Sequence, residues 1–75
     1  MTRAEKEEMQ ARIAVGVFAM QAAKNAVKKH IRAQGLRVLD FTAKEIALRA
    51  EALLKEHPEM IAQARERAAA LGYVS

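Results

Sequence analysis

The 75-residue sequence predicts an all-α domain of three helices, a long N-terminal helix followed by a helical hairpin broken at Pro58. Three observations predict this fold class. Seventeen residues are alanine, which has the highest helix propensity. Apolar residues recur at spacings of three and four, as on one face of a helix. Gly35, Pro58 and Gly72 divide the chain into helix-length pieces, and the length fits one domain, residues 1–75.

The first helix is predicted over residues 3–34. Thr2 and Glu5 have the spacing of a capping box, in which a hydroxyl and a carboxylate satisfy free N–H groups of the first turn. Gly35 follows as the left-handed residue that ends the helix. Gly16 lies inside the helix, where glycine costs about 1 kcal/mol relative to alanine. A break near Gly16, giving two shorter helices, is therefore the alternative.

Apolar side chains of this helix form one stripe along its length. The stripe consists of Met9, Ile13, Val17, Met20, Val27 and Ile31. A second apolar patch on another side consists of Val15, Phe18, Ala22 and Ala26. Between Ile13 and Ala23 the helix is therefore apolar almost all round, and such a segment is usually buried on several sides. We expect it at the centre of the bundle or at a subunit interface.

Residues 35–41 are predicted to form a linker or a short extended piece. The order of an extended piece and two helices from Leu36 onward is similar to that of the ribbon-helix-helix repressors, which would make the linker an intermolecular strand that contacts DNA. A strand would place Arg37, Leu39 and Phe41 on one side and Leu36, Val38 and Asp40 on the other. Neither side is cleanly polar, as that fold requires.

Two shorter helices complete the predicted fold, at residues 43–56 and 58–71. Thr42 and Glu45 match a second capping box. Pro58 resists the helical conformation for the residue before it but suits the first turn of the next helix, and Gly72 ends that helix. The predicted inner faces are Ile46, Ala47, Ala50, Leu53 and Leu54 on one helix and Met60, Ile61, Ala64, Ala68 and Leu71 on the other. Leu48 is expected to point away from the core.

The residue types do not assemble a catalytic site, so we expect no enzymatic activity. Nucleophilic catalysis needs a nucleophile beside a base. The hydroxyl groups belong to Thr2 and Thr42, which are helix caps, and to Tyr73 and Ser75 in the tail. With no cysteine and two histidines, His30 and His57, we expect no metal site. The three glycines are dispersed and form no phosphate-binding loop, and we expect no cofactor.

Basic residues are concentrated in the second half of the first helix and the linker. The net charge is +4, and the chain carries no acidic residue between Arg12 and Leu39. Lysine and arginine neutralise phosphates, while glutamine and asparagine can contact base edges. The sequence therefore predicts a nucleic-acid-binding or regulatory protein, and the alternative is the solvated face of an amphipathic helix. The candidate contact residues are Gln21, Lys24, Asn25, Lys28, Lys29, Arg32 and Arg37.

The composition also favours a protein partner. Alanine buries little area, and a chain of this length hides only about 60% of its unfolded surface, so the core is expected to be thin. We expect a homodimer or docking on a larger protein, and an interaction module (adaptor, inhibitor or assembly subunit) is the alternative function. The candidate interface residues are Met9, Ile13, Val17, Phe18 and Met20.

Membrane association is not expected. No apolar run approaches the roughly 20 residues that a spanning helix needs. The early glutamates Glu5, Glu7 and Glu8 are atypical of a targeting peptide, which favours a cytoplasmic location. A basic amphipathic helix on a membrane surface is a third option. The acidic first turn and the lack of tryptophan argue against it.

Overall fold

The computed structural model describes residues Thr2 to Tyr73 and is all-helical over that range. Helix α1 comprises Arg3–Ala33, α2 comprises Ala43–Glu56 and α3 comprises Glu59–Ala70, with one 3₁₀ turn at Val38–Asp40. The predicted fold class, a long N-terminal helix followed by two shorter ones separated at Pro58, is confirmed. The helix ends lie within one residue of the predicted bounds.

The helix ends follow from local chemistry. Thr42 caps α2 with a complete capping box, in which the Glu45 N–H donates to the Thr42 hydroxyl at 3.1 Å and the Thr42 N–H donates to the Glu45 carboxylate at 3.2 Å. At Thr2 only half of the predicted box forms, since the hydroxyl accepts from the Glu5 N–H at 3.2 Å without the reciprocal bond. Gly35 and Gly72 end their helices at φ 79° and 86°, in the left-handed region that favours glycine.

Helix α1 continues through Gly16 without interruption, so the alternative of two shorter helices is wrong. At 1.5 Å per residue its 31 residues span about 46 Å. The molecule measures 49 × 20 × 20 Å, a rod whose length is set by this one helix.

The two short helices lie one after the other along α1. Each packs extensively on α1, whereas α2 and α3 scarcely touch each other. The hairpin at Pro58 is therefore open, and the two helices do not form an antiparallel pair. Helix α2 covers the C-terminal half of α1, around Val27 and Ile31, and α3 covers the N-terminal half.

The residues of α1 that contact these helices form a ridge with a spacing of four. Burial deepens along it from the partly buried Ala11 and Val15 to the buried residues, which are Ala19, Ala23, Val27 and Ile31. Each step of four advances about 40° around the axis, so the ridge winds by about 200° from Ala11 to Ile31. The covering helices follow the ridge and leave a different side of α1 exposed at each end.

The core is thin, as expected from the alanine content. Five of the eight buried apolar residues are alanine, and Ile31 is the one large side chain below 2% exposure among the described residues. Val27, Ile31, Ile46 and Ala50 pack together, with Leu53 and Leu54 partly buried beside them. On α3 the alanines Ala64 and Ala68 are buried. The predicted inner face is wrong at Ile61 and Leu71, which are 38% and 59% exposed.

The linker is not a strand. Val38–Asp40 forms a 3₁₀ turn, in which the Asp40 N–H donates to the Arg37 carbonyl and the Phe41 N–H donates to the Val38 carbonyl. Val38 and Phe41 pack against the α1–α2 core, while Leu39 is 92% exposed. The extended piece needed by the ribbon-helix-helix arrangement is therefore absent from residues 36–41, since the chain must turn here to bring α2 back onto α1.

Candidate functional site

A strip of α1 that winds around the helix axis is left uncovered by both short helices, and it consists of two neighbouring ridges with a spacing of four. The first ridge is Met9, Ile13, Val17, Gln21, Asn25 and Lys29, all of which are exposed. The second is Arg12, Gly16, Met20, Lys24, Lys28 and Arg32. A shallow groove runs between them from Ile13 to Lys28. The first ridge changes from apolar to polar residues after Val17, and the second, which begins with Arg12 and Gly16, carries only cations after Met20.

The C-terminal half of this face is a basic segment, which we define as Gln21, Lys24, Asn25, Lys28, Lys29 and Arg32. Lys24 and Lys28 are partly buried, so their aliphatic stems lie along the helix surface, and the other four side chains are exposed. Lys24, Lys28 and Arg32 stand one helical turn apart over about 12 Å. The fold thus brings six of the seven predicted contact residues onto one surface.

The four cations of the basic segment form no salt bridge with an acidic residue in the part of the chain that the structure describes. The salt bridges within Thr2–Tyr73 join Arg3 to Glu7, Arg12 to Glu8, Arg37 to Asp40 and His57 to Glu59. Acidic and basic residues are equal in number in each other part of the chain, namely the first two turns with Arg12, the linker, α2 and α3. The whole net charge of +4 therefore lies on Lys24, Lys28, Lys29 and Arg32. A charge this concentrated attracts anions to one end of the rod.

Arg37, the seventh predicted contact residue, does not belong to α1. It is in the linker, beyond the end of α1, and its guanidinium is 3.4 Å from the Asp40 carboxylate. This pair is exposed, so it contributes little to stability, but it neutralises the charge of Arg37 locally.

The N-terminal half of the face is an apolar segment, which we define as Met9, Ile13, Val17 and Met20. Met9, Ile13 and Val17 are 48%, 60% and 56% exposed, and Met20 is partly buried against the α1–α2 core. The burial expected between Ile13 and Ala23 at the centre of the bundle is wrong for Ile13 and Val17. Helix α3 packs on another side of α1 at this level and leaves them uncovered.

Phe18, the fifth predicted interface residue, does not belong to the apolar segment. It is partly buried on the side of α1 that faces α3. Its ring makes an edge contact with Tyr73 at 6.0 Å, and the Arg67 guanidinium lies 5.3 Å from the ring centroid. Sequence reasoning missed this cluster because Tyr73 comes after the end of α3, where helical spacing predicts no contact.

One histidine within the described residues contacts a carboxylate. His57 Nδ1 lies 3.0 Å from a Glu59 carboxylate oxygen at the α2–α3 junction, and both side chains are exposed. No group of three histidine or acidic side chains with metal-binding geometry occurs between Thr2 and Tyr73. Ser75 lies outside the described residues. The expectation that the chain is not an enzyme stays a prediction.

No helix within the described range is both long enough and apolar enough to cross a membrane. No protein-family model, curated protein sequence or solved structure matches this chain. Its function is therefore inferred from the exposed face of α1.

Proposed function

We propose that this chain is a small non-enzymatic protein that binds nucleic acid through the basic segment of α1. The observation that carries the proposal is the location of the entire net charge on four cations of one exposed helix face, none of them paired with an acid within the described residues. Helix α2, by contrast, carries three basic and three acidic residues.

The spacing of the cations suits a phosphate backbone. One strand of B-DNA carries a phosphate every 3.4 Å or so along the axis, hence three or four over the roughly 12 Å between Lys24 and Arg32. Gln21 and Asn25 lie on the neighbouring ridge and are exposed, and amide side chains of this kind contact base edges or phosphates. The absence of aromatic side chains among these six residues favours a duplex over stacking on single strands.

The proposal is tested by charge reversal with a matched control. Lys24→Glu/Lys28→Glu/Arg32→Glu changes the net charge from +4 to −2, since each of three reversals contributes −2. The control Lys44→Glu/Lys55→Glu/Arg65→Glu makes the same change at exposed positions of α2 and α3. Binding to a generic duplex is measured by fluorescence anisotropy at about 50 mM salt, where phosphate contacts are strong.

We expect the reversal in the basic segment to abolish binding and the control to weaken it less. Equal losses in both variants would show that only net charge matters and would refute a localised binding face. No binding of the unaltered protein at low salt would refute the nucleic-acid proposal altogether.

A second function, that of a protein-interaction module, is favoured by the exposure of Met9, Ile13 and Val17. Exposed apolar side chains next to each other mark interaction surfaces more often than isolated ones do. This candidate predicts that complex formation persists at high salt, because apolar contacts are not screened, and is lost in Ile13→Gln/Val17→Gln.

A further inference from the structure

The single chain has more accessible surface than a typical folded monomer of its mass. Its accessible surface is 5887 Å², whereas a folded monomer of 8.3 kDa typically exposes about 4,600 Å². The radius of gyration is 14.6 Å, against about 11 Å for a compact 75-residue domain. The excess of about 1,300 Å² exceeds the roughly 800 Å² per partner that a standard interface buries.

The apolar segment is a continuous part of this exposed surface on α1. Its three exposed side chains stand one turn apart, and the groove beside them reaches Tyr73, which is 53% exposed. The uncovered length from Met9 to Met20 is about 16 Å. It ends there because Met20 already packs against the core formed with α2.

We propose that a second copy of this chain packs on the apolar segment, so that the N-terminal halves of two α1 helices pair in antiparallel orientation with Ile13 at the two-fold axis. In this pairing Met9 of one copy lies opposite Val17 of the other, and the two Ile13 side chains meet. A second copy presents an apolar surface of the same length, which makes the pairing self-complementary as two-fold symmetry requires.

The charges favour a second copy and fix its direction. Around the apolar segment three basic and three acidic residues balance in charge, and two pairs form within the chain, Arg3 with Glu7 at 3.3 Å and Arg12 with Glu8 at 2.9 Å. This rim therefore neither repels an identical copy nor selects a charged partner. A parallel pairing would bring the two basic segments together, with four uncompensated cations each, and like charges at such proximity repel. The antiparallel pairing places them at opposite ends.

The proposed dimer does not depend on nucleic-acid binding, but it has a consequence for it. A two-fold axis perpendicular to paired helices keeps the same flank of both copies on one side of the dimer. Both basic segments would then face the same way, with their centres about 40 Å apart along the helices. A dimer would offer eight cations to one extended anion.

The absence of cysteine from the sequence gives a clean test. In Ile13→Cys the two thiols face each other across the proposed axis. In the control Leu48→Cys the thiol replaces a side chain that is 56% exposed on the outer side of α2. Both positions are exposed in the single chain, and circular dichroism checks that the variants remain helical. Under mild oxidation we expect Ile13→Cys to form the disulfide-linked dimer at a concentration at which Leu48→Cys stays monomeric on a non-reducing gel.

Sedimentation equilibrium of the unaltered protein, without nucleic acid, is the independent measurement. We expect twice the 8.3 kDa chain mass, falling to one chain mass in Ile13→Gln/Val17→Gln. A chain that sediments as a monomer up to high concentration would overturn the proposal and leave the apolar segment to a different protein. A dimer in which both cysteine variants cross-link equally would overturn the placement of the axis. Neither result bears on DNA binding by the basic segment.

Discussion

Ile31 is the side chain whose truncation tests the described core most sharply. It is fully buried on α1 and packs with Val27, Ile46 and Ala50 beneath α2. Ile31→Ala removes three carbon atoms from this contact. The stabilisation that comes from burying them away from water, about 2.4 kcal/mol, is then lost. The remaining cavity adds to this loss, and measured truncations of buried isoleucine or leucine cost about 2–5 kcal/mol. The higher helix propensity of alanine offsets up to about 0.5 kcal/mol of this destabilisation.

We therefore expect Ile31→Ala to lower the free energy of unfolding by about 3 kcal/mol. This is a large part of the roughly 4–11 kcal/mol of unfolding free energy that is typical for a chain of this length. Leu48→Ala is the control, because Leu48 is of similar size, also helical, and 56% exposed. We expect the control to lose less than about 1 kcal/mol.

The assay is urea unfolding followed by far-UV circular dichroism, at one protein concentration because a dimer would make stability depend on concentration. With a slope near 1 kcal/mol per molar urea, Ile31→Ala should lower the midpoint by about 3 M or leave the chain partly unfolded without denaturant. Equal midpoints for Ile31→Ala and Leu48→Ala would refute the assignment of the core to the α1–α2 contact.

Further predictions concern the helix ends, the aromatic cluster and the coupling of the two surfaces. Thr42→Ala removes the two hydrogen bonds of the Thr42 hydroxyl, which accepts from the Glu45 N–H and donates to the Glu45 carboxylate, and should cost about 1 kcal/mol in urea unfolding. Thr2→Ala, where the hydroxyl makes one bond, should cost less, and the reverse order would contradict the assigned caps. Gly35→Ala should destabilise by about 1–2 kcal/mol because its φ is 79°, whereas Gly16→Ala, with helical backbone and open space where the added methyl group would lie, should be neutral or stabilising by up to about 1 kcal/mol. Arg67→Ala should lower the free energy of unfolding by about 0.5–1 kcal/mol, because it removes the contact of the guanidinium with the Phe18 ring. In a double-mutant cycle, Arg67→Ala should have no such cost in a Phe18→Leu background. If the dimer binds DNA with both basic segments, Ile13→Gln/Val17→Gln should roughly halve the slope of the logarithm of the binding constant against the logarithm of salt concentration. An unchanged slope would show that DNA binding does not involve the dimer.

The helices were predictable because their ends depend on local chemistry. Each of these ends is set by residues no more than three or four positions apart, so the sequence alone contains the information. The residues are Thr42 with Glu45, Pro58, Gly35 and Gly72. The linker was harder, because whether Val38 lies in a strand or a turn depends on how far the chain must travel to place α2 on α1.

The buried side of α1 was predicted only in part, for a geometric reason. Averaging apolar positions along a straight helix groups Met9 and Ile13 with Val27 and Ile31. The covering helices instead follow the ridge with a spacing of four, which reaches Ile31 through Ala19 and Ala23. Alanines contribute little to a hydrophobic pattern. The buried ridge is therefore harder to recognise in the sequence than the predicted apolar stripe, part of which is exposed to solvent.

Most of the candidate binding face could be predicted, since cations spaced by four on one helix share a side in any fold. Two residues could not be placed from the sequence. Arg37 required the linker conformation, which sets it beside Asp40, and Phe18 required the position of α3, which turns it toward Tyr73. Both depend on how the elements pack, which the spacing within one helix does not specify.

The dependence of duplex DNA affinity on salt tests the central claim most directly. With four cations contacting phosphates, the logarithm of the binding constant should fall against the logarithm of salt concentration with a slope of about −3.6, or more steeply if a dimer binds. Affinity should then drop roughly 150-fold or more between about 50 and 200 mM salt, and Lys28→Gln should reduce the slope by about one. A slope near zero, or a slope that Lys28→Gln leaves unchanged, would contradict binding through the basic segment.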